Sequence, residues 1–540
     1  MAVAVGTPMA MAAVNSSSNP AATSSVPSAL NTAGLPSTQQ QITTLNAAVA
    51  YMRANYQSLY TTFGGDQVTS IFDYGINSLW QKGTDGAGTT IALLTEWDDP
   101  QAQARTDSFA ASLHLPNPQI QTIYPAGPLP SKCPAQMDGE TGTCASWGGE
   151  EDLDINAIHL IAPYAKILVA VTPPDTQEVD DPASNGAAPE FMKSLETISG
   201  RHLANAISIS GGTGESSYSD GTAEIRAQDP GELAAAAAGI PVVAATGDSG
   251  VLQELPTPYT DNNGYADTTT PDIATWSDSP WVTAVGGTTP DMSSKSPTKL
   301  GPDPLWNSEG AGYSSVYARP SYQDEVSNAP TRSVPDIAMD AKGGTSEAAP
   351  MLAGVLALAT QSNQGDLGPI NPALYGVLGP AGSRDGISDV VSGDNTATAS
   401  YTGPGDPDLV VQGYAAGPGF DVASGWGTVY APNFVPALVT ATRASDQEAA
   451  SRAQAQSQLN QLQHGAAVTK TSSGNYYLNA NGLLPGHPVQ LAIDGKTIDT
   501  LTVNQLGGIT YMIDPTQLKL AAGKHTVTLT SMLLTETAQF

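Results

Sequence analysis

The chain is short of cations, of cysteine, of histidine and of long apolar runs, and each shortage excludes something. Only 20 Lys and Arg face 51 Asp and Glu, a formal net charge of −31. Nucleic acids and anionic membrane surfaces are held through Lys and Arg, so neither is an expected partner. No stretch approaches the roughly eighteen consecutive apolar residues of a membrane span. The two cysteines, Cys133 and Cys144, lie close together in a Gly- and Pro-containing loop. Without a matching histidine pair they make a poor zinc site, and a disulfide formed in an oxidising compartment is expected. The first 14 residues are small and apolar, and Ala10-Met11-Ala12 is similar to a signal cleavage site, but a basic n-region is lacking.

What is present is carboxylate, glycine and proline. Below about pH 4 most carboxyls are neutral, so this composition suits an acidic medium, a merely soluble acidic surface being the alternative. With 54 glycines and 41 prolines the chain carries many ordered loops, yet its apolar runs rule out global disorder. Residues 1–64, rich in Ser, Thr, Ala, Asn and Gln, read as a mobile leader with a helix over 43–56. Apolar strands at 89–96, 167–171, 206–210, 240–245 and 282–285 alternate with helices, which predicts an α/β fold with a mostly parallel sheet covered on both faces. Sites in such folds lie at the C-terminal ends of strands. Residues 441–465 read as a helical connector. Residues 466–540 read as a small β-sandwich-like module of short alternating strands separated by turns.

The stretch that organises the rest is Gly343-Gly344-Thr345-Ser346-Glu347-Ala348-Ala349-Pro350, running into an Ala- and Leu-rich helix. Pro350 is placed in the first turn, where a missing N–H costs nothing. Ser346 then sits at a helix N-terminus, which favours developing negative charge, and the glycines allow close approach in front of it. An ordinary N-cap serine is the bland alternative. A nucleophile needs a base. Of the six histidines (His114, His159, His202, His464, His487, His525), His159 has apolar neighbours and reads as a buried structural residue. Glu150 and Asp154, four apart on an amphipathic helix, share a face, and Asp248 ends a strand in Thr246-Gly247-Asp248-Ser249-Gly250.

Residues 65–440 resemble the sedolisins, or serine-carboxyl peptidases, which share the subtilisin-like fold. Glu150-Glu151-Asp152-Leu153-Asp154 is similar to that family's Glu-x-x-x-Asp helix, 247–250 to its Gly-Asp-Ser-Gly turn, and 344–350 to its Gly-Thr-Ser-x-x-x-Pro motif. Val285-Gly286-Gly287-Thr288, Arg319-Pro320-Ser321-Tyr322-Gln323 and Val334-Pro335-Asp336 are further matches in family order. The resemblance implies Ser346 as nucleophile, Glu150 as general base, Asp154 as its support, and a protonated Asp248 as oxyanion donor. Glu96 is similar to a glutamate extending this network in some members. The tryptophan that accompanies it is absent, since Ser210 is followed by Gly211, and the segment between Asp336 and Gly343 is shortened. Asp389, Val390, Gly417, Gly419 and Asp421 match the family's site for one Ca2+ ion, whose hard oxygen ligands they would supply. The stretch ahead of residue 65 is shorter than the long inhibitory propeptide usual in the family. The expectation is a secreted, monomeric, acid-active endopeptidase acting on proteins or peptides; a tripeptidyl-type exopeptidase and an inactive binding protein on the same scaffold are the alternatives.

Overall fold

A computed structural model describes residues 30–62, 66–125, 128–129, 144–172, 189–217, 225–226, 228–253, 259–260, 270–289, 303–401, 409–444, 446–463, 466–470, 476–480, 483, 488–503, 509–530 and 535–540. Seven short runs form one sheet: β1 (Thr90–Thr95), β2 (Gln119–Ile123), β3 (Lys166–Val171), β4 (Ala206–Ile209), β5 (Val242–Ala245), β6 (Val282–Thr288) and β7 (Ile337–Asp340). They lie in the order β7-β6-β5-β4-β1-β3-β2, with every neighbouring pair parallel. The crossovers that parallel strands require put helices on both faces. Side chains alternate accordingly: Ile91 and Leu93 enter one core with Ile167 and Val169, while Ala92 and Leu94 enter a second with Leu168 and Ala170.

Two helices on the first face carry the chemistry. The carboxylate helix, Cys144–Ile161, packs on the serine helix, Thr345–Asn363. Their axes approach closely because Gly354 has no side chain; a Cβ there would stand 2.7 Å from that of Ile161. On the second face Pro189–Arg201 and Asp229–Ala238 supply Phe191, Leu195 and Ala235.

The boundaries differ from those read in the sequence. Residues 30–62 are part of the folded unit and not a mobile leader. A helix at Thr38–Ala54 starts at Ser37, whose hydroxyl and backbone exchange bonds with Gln40 in a capping box, and it sinks Leu45, Ala48, Val49 and Met52 into the first core. The connector is also packed: in the helix Asp446–Gln463, Ala455 and Leu459 bury against Leu233 and Ala236. Beyond it lie a three-stranded and a four-stranded antiparallel sheet that share a core including Leu478, Leu491, Ile513 and Leu529.

Candidate active site

The site is assembled where the sheet's strands end. Ser346 is the second residue of its helix, behind Gly344 at φ 86°, ψ 174°. Gly344 needs that left-handed backbone, and a Cβ on it would run into the Asp248 carboxylate. Asp248, three residues past β5, is tied to the serine motif: its Oδ1 accepts the Thr345 N–H at 2.8 Å and the Thr345 hydroxyl at 2.9 Å. Thr345 Oγ1 in turn accepts the Gly247 N–H at 3.0 Å. Asp248 and Ser346 open on a 230 Å³ cleft that Gly211, Gly212 and Thr213 also line.

Glu150 reaches the serine from the carboxylate helix, with a side-chain hydrogen bond joining the two. Burial pushes its carboxyl up to about 7, the Asp248 charge adds to the rise, and the bond to Ser346 opposes it. Its Oε1 is buried without a partner. Asp154, 1% exposed, is pushed well above the ordinary carboxylate range by burial and by the Glu150 charge. No hydrogen bond joins it to Glu150 among the described residues. Its direct partner is Ser210, just past β4, whose hydroxyl lies 2.8 Å from Asp154 Oδ1 and 3.1 Å from the Ser346 carbonyl oxygen.

Pro350 explains the second of those contacts and corrects its expected place. It is the sixth helical residue and lies inside the helix. Having no N–H, it leaves the Ser346 carbonyl without its intrahelical donor. Ser210 occupies that vacancy. Thr345 and Ser210 were not singled out from the sequence as site residues; the strand-end rule that pointed to Asp248 applies equally to Ser210.

His159 is buried and is no base. Burial lowers it to about 4, and its Nε2 meets the Pro116 carbonyl at 2.8 Å, so a neutral ring donating there fits. Among the described residues no histidine lines the cleft. Cys144 is disulfide-bonded, and Cys133, the only other cysteine, lies outside the described residues.

The five expected calcium residues converge on one loop pair. Asp389 Oδ2 accepts the Gly419 N–H at 2.8 Å, and Asp421 accepts the Gly417 N–H at 2.7 Å and the Ser424 N–H at 2.8 Å. Asp389 Oδ1 is buried without a partner, as fits an oxygen with room for a hard cation. Burial raises the Asp421 carboxyl. Among the described residues no three His, Cys, Asp or Glu side chains cluster as a metal site, so backbone oxygens would have to complete this one.

Residues 141–374 match the model of the subtilase family. Kumamolisin from Bacillus sp. (strain MN-32) is 27% identical over 390 residues, covering 66% of this chain and 61% of that protein. Sedolisin from Pseudomonas sp. (strain 101) is 31% identical over 371 residues, covering 64% and 56%. Human tripeptidyl-peptidase 1 is 32% identical over 195 residues, covering 30% and 31%. The chain thus spans less than two thirds of these relatives' lengths. The solved Pseudomonas sedolisin, complexed with two molecules of pseudo-iodotyrostatin, has a TM-score of 0.54 at 24% identity, covering 69% of this chain and 97% of that one, a likeness of fold. With the family motifs met in order on a subtilisin-like sheet, the chain is similar to the sedolisins in sequence and in fold.

Proposed function

We propose that this chain is an acid-active serine-carboxyl endopeptidase. The observation that carries the reading is the hydrogen bond of Ser346 to a buried glutamate, beside a second carboxyl group at the same cleft. Ser346 Oγ attacks the scissile carbonyl and its proton passes to Glu150. Glu150 returns that proton to the leaving amine, then takes one from the water that hydrolyses the acyl-enzyme. With Oδ1 of Asp248 engaged by Thr345, a proton on the other oxygen makes it the donor to the oxyanion. Asp154 acts through Ser210, holding the serine helix against the carboxylate helix.

The test is peptide cleavage from pH 2 to 8 by the wild type and by Ser346→Ala. Cleavage peaking below pH 7 and lost in the variant is expected; a peak above pH 7 removes Asp248 from its role. No cleavage by either protein would leave a binding protein on a peptidase scaffold. The likeness to tripeptidyl-peptidase 1 favours a second reading, release of N-terminal tripeptides. Blocking the substrate's N-terminus would stop an exopeptidase and spare an endopeptidase.

A calcium ion is part of the proposal, held by the Asp389 and Asp421 carboxylates with backbone oxygens of Val390, Gly417 and Gly419. It would tie two loops and takes no part in the chemical steps. A chelator near neutral pH is then expected to lower the melting temperature, since an ion at about 100 times its Kd stabilises by about 2.7 kcal/mol. An unchanged melting temperature removes the ion. The disulfide at Cys144 supports a secreted protein.

A further inference from the structure

We propose that Trp147 is a positioning residue for the cleft wall, a step that rests on the peptidase reading and refines it. The carboxylate helix grips the chain leaving β4 at two successive residues. Asp154 contacts Ser210, and two turns earlier Trp147 lies against Gly211. A Cβ on Gly211 would stand 3.2 Å from Cη2 of the indole, tighter than ordinary van der Waals contact. Gly211 is therefore bare where the ring stands.

The next residue is held in the same way. Gly212 has φ +147°, and a Cβ there would be 2.7 Å from the Thr275 carbonyl oxygen and 3.4 Å from Trp276 Cδ1. Phe191 lies between the two indoles, its ring 6.2 Å from Trp147 at 84° and 5.5 Å from Trp276 at 44°. Gly211 thus meets Trp147 and Gly212 meets Trp276, with Phe191 packed between the two indoles, and both glycines line the cleft onto which Asp248 and Ser346 open. Among the described residues the backbones of Gly211 and Gly212 make no hydrogen bond. A glycine pair with neither side chains nor hydrogen bonds takes its position from what it is packed on. Trp147 precedes Glu150 by three positions and shares its helix face, so the wall and the base are placed by one rigid element.

A size exchange tests this. Trp147→Phe opens space beneath Gly211, Gly211→Ala pushes a methyl group into the ring, and the double variant fills the space again. Each single change is expected to raise KM for a peptide about tenfold with kcat within about twofold, and the double to return within about threefold of wild type. Exchange of the Thr213 amide, which donates to Thr275 Oγ1 at 3.4 Å, is expected to quicken in Trp147→Phe and to slow again in the double. Effects that simply multiply, or a lowered melting temperature with unaltered KM and exchange, would make Trp147 a core filler and overturn the proposal. A wild type that cleaves no peptide overturns the peptidase reading, and the exchange rates alone then decide on Trp147.

Discussion

Glu150→Gln is expected to lower kcat by about 10⁴-fold or more while the protein stays folded, because the amide cannot take the Ser346 proton. Asp248→Asn is expected to behave differently in kind. Asparagine still donates a hydrogen bond to the oxyanion, so the loss should be about 10²- to 10³-fold. The shape of the pH profile should change as well. On the proposed mechanism, wild-type activity should follow the state in which the carboxyl pair holds one proton, with Glu150 as base and Asp248 as donor, which gives a bell with both limbs belonging to the pair. Burial and the Asp248 charge hold the Glu150 carboxyl up at about 7, which places the bell on the weakly acidic side of neutrality. Asparagine does not titrate and removes that charge. The falling alkaline limb should therefore vanish and the rising limb move to lower pH. Profiles of kcat/KM for the two proteins decide it: an Asp248→Asn bell with the wild-type limbs would rule out Asp248 as the proton-bearing donor.

Melting temperature is expected to fall as pH rises from about 4 to 7, the reverse of the usual acid denaturation. Asp278 and Glu232 are each 1% exposed. Burial, then neighbouring carboxylates, hold both well above their ordinary values; Asp278 is hydrogen-bonded to Glu215, and Glu232 to Ser279. Arg332 lies close by, but it is committed to Asp336 through contacts of 3.0 and 2.7 Å. A group whose folded pKa is raised binds its proton more tightly in the folded state. Below the unfolded values, about 4, both states are protonated and nothing is lost. Above them the unfolded chain ionises while the folded one cannot, so stability drops by about 1.4 kcal/mol per pH unit for each such group, until its folded pKa is reached. Asp278→Asn keeps a partner for Glu215 and removes one titration, so the slope of stability against pH should become shallower. A slope that stays the same, or a stability that climbs toward neutrality, would contradict this account.

The candidate site was more legible in the sequence than the outline of the folded unit. Ser346, Glu150, Asp154 and Asp248 each stand in a short local pattern set by helix spacing or by glycine at a turn, and the fold joins Glu150 to Ser346, ties Asp248 to Thr345 beside it, and links Asp154 to the Ser346 carbonyl through Ser210. The strands β1, β3, β4, β5 and β6 were legible for the same reason, being runs of buried aliphatics. β2 was not, since Gln119-Ile120-Gln121-Thr122-Ile123 is half polar along an exposed sheet edge, and β7 is only four residues long. The helix at Thr38–Ala54 was read over 43–56, but its packing was hidden by composition, its Gln- and Thr-rich outer face masking the inward stripe of Leu45, Val49 and Met52. Gly211 could be read only as a missing side chain. That another ring fills the space from a helix sixty-odd positions earlier is a long-range fact that no local pattern carries.

Ser210 has one hydroxyl hydrogen and two claimants for it, the Asp154 carboxyl and the Ser346 carbonyl. If Asp154 is ionised, only one claim can be met at a time. If Asp154 carries a proton, it donates to Ser210, Ser210 donates to the serine helix, and a one-way relay of donors runs from the carboxylate helix to the backbone of the nucleophile. Proline at 350 is what leaves the last acceptor open. Both bonds are complete only when Asp154 is protonated, so the support that Ser210 gives to the Ser346 backbone depends on the charge of that carboxyl.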